Sequence, residues 1–333
     1  MADIILYLSL MLVCGIIGAK FREFVTNKLW WRGKIQTIAI VVLVFFMGSR
    51  MGCNEQVIDN IGTLGITALV MTIVILFFSV LCLFFLRKIF GFDKEASLVS
   101  KKSALDSNDL PNCEEDSVSE NKSGIDKMTI IIFLSVVCGM AIGYFVARPI
   151  YGDNIDAFDH TASVGLKIGL CVLMSFVGLD LGVQGEVLRM LREAGLKILI
   201  FPIATIIGTF IGAAISGPLL GISLKESMAI GAGFGWYTFA PGIIMDAGLI
   251  EASAISFLHN VLREIMSILS IPFIAKKVGY IEAACMSGAP AMDVCLPIVS
   301  KETQGKAVTY GFVTGMIMSL LVPVLVPLAL SIF

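Results

Sequence analysis

The sequence predicts an all-α polytopic membrane protein with about eight transmembrane helices, two re-entrant or broken helical elements, and inverted repeats. Three observations predict it. The 333 residues are 57% hydrophobic and 15% charged, with a mean hydropathy of +0.92, far outside the range of soluble globular domains. Apolar runs near 3–19, 36–52, 65–86, 128–147, 164–181, 196–216, 252–275 and 307–332 are each long enough to cross about 30 Å of hydrocarbon. Residues 41–66 also lie over 171–196 without a gap. They agree at Val42/Val172, Leu43/Leu173, Phe46/Phe176, Gly48/Gly178, Gly52/Gly182, Val57/Val187 and Gly65/Gly195, which reads as an internal repeat.

Taken in order, the first run is a span rather than a cleaved leader, because Asp3 stands where a basic segment belongs and the positive charges follow the run. Basic residues cluster after the first span (Lys20, Arg22, Lys28, Arg32, Lys34), the third (Arg87, Lys88, Lys94, Lys101, Lys102) and the fifth (Arg189, Arg192, Lys197). The positive-inside rule then puts these loops in the cytoplasm and the N-terminus outside. Residues 1–90 form a first three-helix unit and 128–217 a second. Three is odd, so the second copy is inverted. Between them, 91–127 is rich in Ser, Asp, Glu, Lys and Asn and reads as a disordered cytoplasmic linker.

Residues 218–333 read as a transport core. Counting 228–247 as a full span would strand Lys276 and Lys277 outside, whereas a dip that returns to its own side keeps them in. A second dip over 284–300 puts both termini outside. Gly231, Gly233, Gly235, Pro241 and Gly242 interrupt the first segment, and Gly288, Pro290 and Pro297 the second. Breakers at membrane depth are tolerated where backbone lines a cavity or is covered by protein. The competing reading is a pair of proline-kinked full spans.

The eight cysteines are scattered without CxxC spacing, and His160 and His259 are too few for a histidine metal cluster, so no metal site or cofactor is expected. No P-loop, HExxH or dinucleotide fingerprint is present and no nucleic-acid partner is expected; an intramembrane enzyme is the less favoured alternative, with only the weak pair of His259 and Glu264 on different faces of one helix.

Function is expected around span 252–275. Ser253, Ser256, Asn260, Arg263, Glu264, Ser267 and Ser270 fall within one arc of about 120° on a helix, opposite an apolar face. A mid-span charge costs about 2.5–3.5 kcal/mol on insertion scales, so Arg263 and Glu264 need a polar cavity or a partner. An ion pair that only pins packing stays open for both, and an interhelical hydrogen bond for Asn260. Asp293, the acid of the second broken element, suits a cation or proton if that element enters the membrane. Trp236 and Tyr237 offer aromatic faces to an ammonium, or serve as interface anchors. Free amides near Gly233 and Gly235 suit a carboxylate. Asp180 and Arg50 share one repeat position and either act or only reach headgroups.

FFMG at 45–48, GLDLG at 178–182, SMAIGAGFGWYTF at 227–239, LREI at 262–265 and SGAPAMDVCLPIV at 287–299 together resemble the bacterial lysine exporter family, formerly a domain of unknown function. The resemblance covers nearly the whole chain. It implies export of L-lysine and its toxic analogues across the bacterial inner membrane in exchange for protons, with eight spans and both termini outside. It also implies two intramembrane acids: Glu264 matches the late one, whereas Arg50 stands where the early one belongs, leaving Asp180 as its nearest replacement. Lysine brings two ammonium groups and a carboxylate, which Glu264, Asp293 and Asp180 on one side, and Arg263 or the broken element on the other, are suited to meet. An exporter or channel for another amino acid or organic cation is the alternative, and a homo-oligomer stays open.

Overall fold

The computed structural model describes residues 2–22, 32–96, 127–151, 155–184 and 196–332, and among these every regular element is helical. The helices are α1 (Ala2–Lys20), α2 (Arg32–Cys53), the short α3 (Glu55–Asp59) and α4 (Ile61–Ile89). Helix α5 (Lys127–Ile142) runs on through a π-helical turn at Gly143–Ala147 into Arg148–Tyr151. There follow α6 (Ile155–Gln184), α7 (Ile200–Leu219), α8 (Leu224–Gly231), α9 (Ala240–Asp246), α10 (Ile250–Lys277), α11 (Tyr280–Cys285), α12 (Leu296–Glu302) and α13 (Val308–Ile332). Among the described residues seven helices, those at α2, α4, α5, α6, α7, α10 and α13, are long and apolar enough to cross a bilayer, and α1 adds a further 19-residue helix. The chain is a multi-pass membrane protein.

Their outward side chains suit lipid: Ile16, Phe77, Ile168, Leu269 and Phe273 are all exposed. Inward packing depends on small residues, which matter most where lipid removes the hydrophobic drive between helices. A Cβ on Gly48 or Gly52 would collide with the carbonyls of Val136 and Met140, and one on Gly178 or Gly182 with those of Met11 and Gly15. The same repeat-matched glycines thus seat α2 against α5 and α6 against α1.

These contacts also fix direction. Gly48 and Gly52 meet Val136 and Met140 in the same order, so α2 is parallel to α5, and by the same test α6 is parallel to α1. Gly165 and Gly169 meet Phe46 and Leu43 in reverse order, so α2 and α6 are antiparallel. Gly208 and Gly212 meet Ser79 and Ile75, making α7 antiparallel to α4. His259 lies beside Thr72, and Val278 O, at the end of α10, accepts from Arg87, so α10 runs with α4. One end of the bundle therefore gathers Lys20, Arg22, Lys34, Arg87, Lys88, Lys276 and Lys277, and is called the basic end below.

Both broken elements are hairpins. Ser223 opens α8 with a capping box, its hydroxyl accepting from Glu226 N–H at 3.2 Å while the Glu226 carboxylate accepts from Ser223 N–H. Helix α8 then descends beside α7, with Ser227 at Gly217 and Gly231 at Ala213 and Thr209. After the turn, α9 climbs back along α10: Gly235 lies at Asn260, and Pro241 accepts from Ser253 Oγ at 2.7 Å. Entry and exit share the end opposite the basic one. The second hairpin starts and finishes at the basic end, where Arg87 Nε donates to Glu282 at 2.6 Å and Lys276 Nζ stands 3.8 Å from Glu302. The proline-kinked full-span reading is replaced, because each glycine-rich turn reverses the chain instead of bending a continuous helix.

The expected linker begins later than its composition implies. Phe92 is buried against the rings of Phe201 and Tyr310, 5.3 and 6.1 Å away, and Lys94 O accepts from Tyr280 N–H at 3.0 Å. One aromatic side chain carries enough apolar area to tie residues 92–96 onto the second hairpin. The remainder of the linker, 97–126, lies outside the described residues.

Candidate functional site

Helix α10 is built inside out. Ser253, Ser256, Asn260, Arg263, Ser267 and Glu264 on its polar arc are all buried, while Leu269 on its apolar side is 73% exposed. Lipid accepts the leucine, and the polar arc finds partners in the two hairpin tips. Asn260 Oδ1 accepts from Gly235 N–H at 2.7 Å, and its Nδ2 donates to Ser256 O at 2.8 Å. Gly233 has to lack a side chain, since a Cβ would lie 2.6 Å from Asn260 Nδ2.

The tips then meet each other. Ala289 N–H donates to Phe234 O at 2.9 Å across the junction. Gly235 (φ +95°) and Gly288 (φ +84°) occupy left-handed backbone that favours glycine, and a Cβ on Gly288 would collide with Phe234 O. Arg263 fastens the second tip from behind: Nε donates to Ser287 O at 3.1 Å and Nη2 to Met286 O and Thr209 Oγ1, each at 3.2 Å. Its guanidinium centre lies 5.7 Å from the Phe234 ring centroid, a cation–π contact. Nη1 has no hydrogen-bond partner among the described residues.

In front of this junction lies a cavity of about 300 Å³. Glu264, Asp293, Trp236, Tyr237, Gly235 and Ser319 line it, and Gln36, Ile40, Ile132 and Val177 wall it on the side of α2, α5 and α6. Those four wall residues all belong to the basic-end halves of their helices, so the cavity lies toward that end. Glu264 is 4% exposed and Asp293 is exposed, so one carboxylate is enclosed and the other stands nearer the mouth. Asp293 accepts the N–H of Val294 at 2.6 Å, which orients it at the break of the second hairpin. Trp236 and Tyr237 are half-buried and braced by Phe239 and Phe257, with centroids at 5.2 and 6.5 Å. Two carboxylates and two aromatic rings around one cavity are chemically suited to an organic cation.

The structure therefore gathers Glu264, Asp293, Trp236, Tyr237 and Gly235 around one cavity and puts Asn260, Arg263 and Gly233 behind it, holding the tips. The Asp180 side chain lies outside the described ones. Arg50, the other half of that repeat pair, is 6% exposed, and its Nη1 donates to Met245 O at 3.5 Å. Sequence reading missed two ion pairs: Arg87–Glu282, both side chains buried, and Lys167–Asp246 at 3.5 Å. Partners so far apart along the chain leave no mark in its local pattern.

Residues 133–330 match the family model described as "Lysine exporter LysO". The chain is 28% identical over 194 residues to the lysine exporter LysO of Escherichia coli K12, a match covering 57% of this chain and 60% of that protein. It is 31% identical over 160 residues to the "Putative lysine exporter" of Haemophilus influenzae, covering 46% of this chain and 79% of the relative. No solved structure matches the chain.

Proposed function

The chain belongs to the lysine exporter LysO family, and from that premise we propose that it is a secondary transporter that carries L-lysine, and its toxic analogues, out of a bacterial cytoplasm in exchange for protons. The observation that carries this reading is the buried Glu264 beside Asp293, Trp236 and Tyr237 in a cavity on the basic-end side. By the positive-inside rule that end is cytoplasmic and both termini lie outside, so the cavity is loaded from the compartment where lysine accumulates. The two carboxylates receive ammonium groups, and the amides of the first hairpin tip receive the substrate carboxylate.

Moving a net positive solute outward against an inside-negative potential costs about 2.3 kcal/mol per charge per 100 mV, and one inward proton removes that electrical cost. Glu264 is the group to alternate: ionised while it holds lysine, neutral while it carries a proton inward. Two inverted three-helix units, 1–90 and 128–217, frame this core. The equivalent seating of Gly48 and Gly52 on α5 and of Gly178 and Gly182 on α1 supports that architecture.

Labelled lysine efflux from loaded vesicles tests the reading. Glu264→Gln should reduce efflux at least tenfold and abolish its dependence on a proton gradient. An unchanged rate and proton dependence would sink the coupling role.

A further inference from the structure

The cavity wall on the basic-end side has a counterpart on the opposite side, and the counterpart is shut. The register that lays Gly48 on Gly178 lays Gln36 on Leu166, Ile40 on Leu170 and Met47 on Val177. Gln36, Ile40 and Val177 are part-exposed and line the cavity, while Leu166, Leu170 and Met47 are fully buried. Leu170 is packed on Gly242 of α9, whose Cβ position lies 3.2 Å from Leu170 Cδ2.

Two cations stand at the end of α9 there. Arg50 on α2 donates to Met245 O at 3.5 Å, and Lys167 on α6 stands 3.5 Å from the Asp246 carboxylate, an ion pair without a hydrogen bond, with that carboxylate 10% exposed and the lysine side chain 40% exposed. The Lys167 group is chemically the side chain of the solute: an alkylammonium on a four-carbon stem, paired with a carboxylate at the end of the hairpin that roofs the site.

We propose that α2, α6 and α9 enclose a second vestibule, closed in this conformation, in which Asp246 is the exit-side carboxylate and the ammonium of a departing cationic amino acid displaces that of Lys167. This rests on the transport reading and on the inverted repeat. When the two units exchange conformations, Leu166 and Leu170 part as Gln36 and Ile40 do here. Asp246, freed from Lys167, offers the substrate a second carboxylate on its way out, and the return of Lys167 expels it and recloses the exit. Competition between two like ammonium groups for one acid needs no large energy difference and keeps the exit site from trapping the substrate.

The test uses the full chain in vesicles of native orientation, with a membrane-impermeant maleimide applied outside and the label located by peptide mass spectrometry. Leu170→Cys should label slowly, and adding Lys167→Met should raise that labelling at least fivefold and slow efflux at least threefold, because nothing then expels the substrate from Asp246. Asp246→Asn should also raise labelling but lower lysine efflux at least tenfold, with Asp246→Glu recovering part of it; Ile40→Cys, labelled from the basic end in inverted vesicles, confirms that each variant is folded. If Asp246→Asn and Lys167→Met leave efflux equally intact, the pair is only a latch and the binding role of Asp246 is overturned. Absence of outside labelling at position 170 in every variant overturns the vestibule itself. If the parent moves no lysine while the labelling pattern holds, the substrate assignment fails and the vestibule stands.

Discussion

At the residue scale, the polar groups of α10 divide into those that meet the cavity and those that build it. Glu264 does the first; Asn260 and Arg263 do the second, since Asn260 accepts from the first hairpin tip and Arg263 donates to the second. Arg263→Lys keeps the charge but loses the planar fork that reaches Ser287 O, Met286 O and Thr209 Oγ1 together. A hydrogen bond to a charged group is worth about 1.5–3 kcal/mol, so this variant should lose a few kcal/mol in detergent unfolding and most of its transport. Asn260→Ala leaves the buried Gly235 N–H without its acceptor, which costs about 1–3 kcal/mol. Its expected signature is reduced maximal efflux with proton coupling preserved, separating it from Glu264→Gln.

At the element scale, each hairpin tip is stable only because the other covers it. An unwound turn in a bilayer has backbone groups that lipid cannot satisfy, and here Phe234 O, Gly235 N–H, Met286 O and Ser287 O are taken up by Ala289, Asn260 and Arg263. Gly288→Ala adds a Cβ against Phe234 O at a positive φ and should separate the tips, abolishing lysine efflux even where the protein still inserts. The second hairpin also depends on residues 92–96 crossing its base. Phe92→Ala removes a buried ring from contact with Phe201 and Tyr310 and should cost about 3–5 kcal/mol, read as a lowered unfolding midpoint.

At the scale of the whole molecule, the glycines matched between 41–66 and 171–196 seat α2 on α5 and α6 on α1, beside a core of two opposed hairpins. Gly52→Leu and Gly182→Leu press equivalent side chains into backbone, the first at Met140 and the second at Gly15, and should cause comparable losses of folded protein in the membrane. Gly65→Leu, at a position with nothing within 4 Å, should be accumulated normally. Size-exclusion chromatography of detergent extracts makes the comparison, and unequal losses at 52 and 182 would count against equivalent roles. One set of matched side chains, Gln36, Ile40 and Val177, lines the cavity, and the other, Leu166, Leu170 and Met47, is buried.

Much of this was legible in the chain, for reasons that vary by element. The spans were legible because about 30 Å of hydrocarbon demands a long apolar run, and the hairpins because Lys276 and Lys277 made an extra crossing inconsistent. The arc from Ser253 to Ser270 was legible because helical spacing turns sequence separation into direction. The true start of the linker was not, since composition cannot tell that Phe92 finds a pocket between Phe201 and Tyr310. Sequence by itself determined what the bilayer selects locally: span length, loop charge, backbone breakers and one wet helix face. It took the fold to put Arg263 behind the cavity and Glu264 on its wall, to place the cavity toward one end, and to bring Lys167 to Asp246. Those outcomes depend on which distant backbones come within hydrogen-bonding reach, and no local pattern encodes that distance.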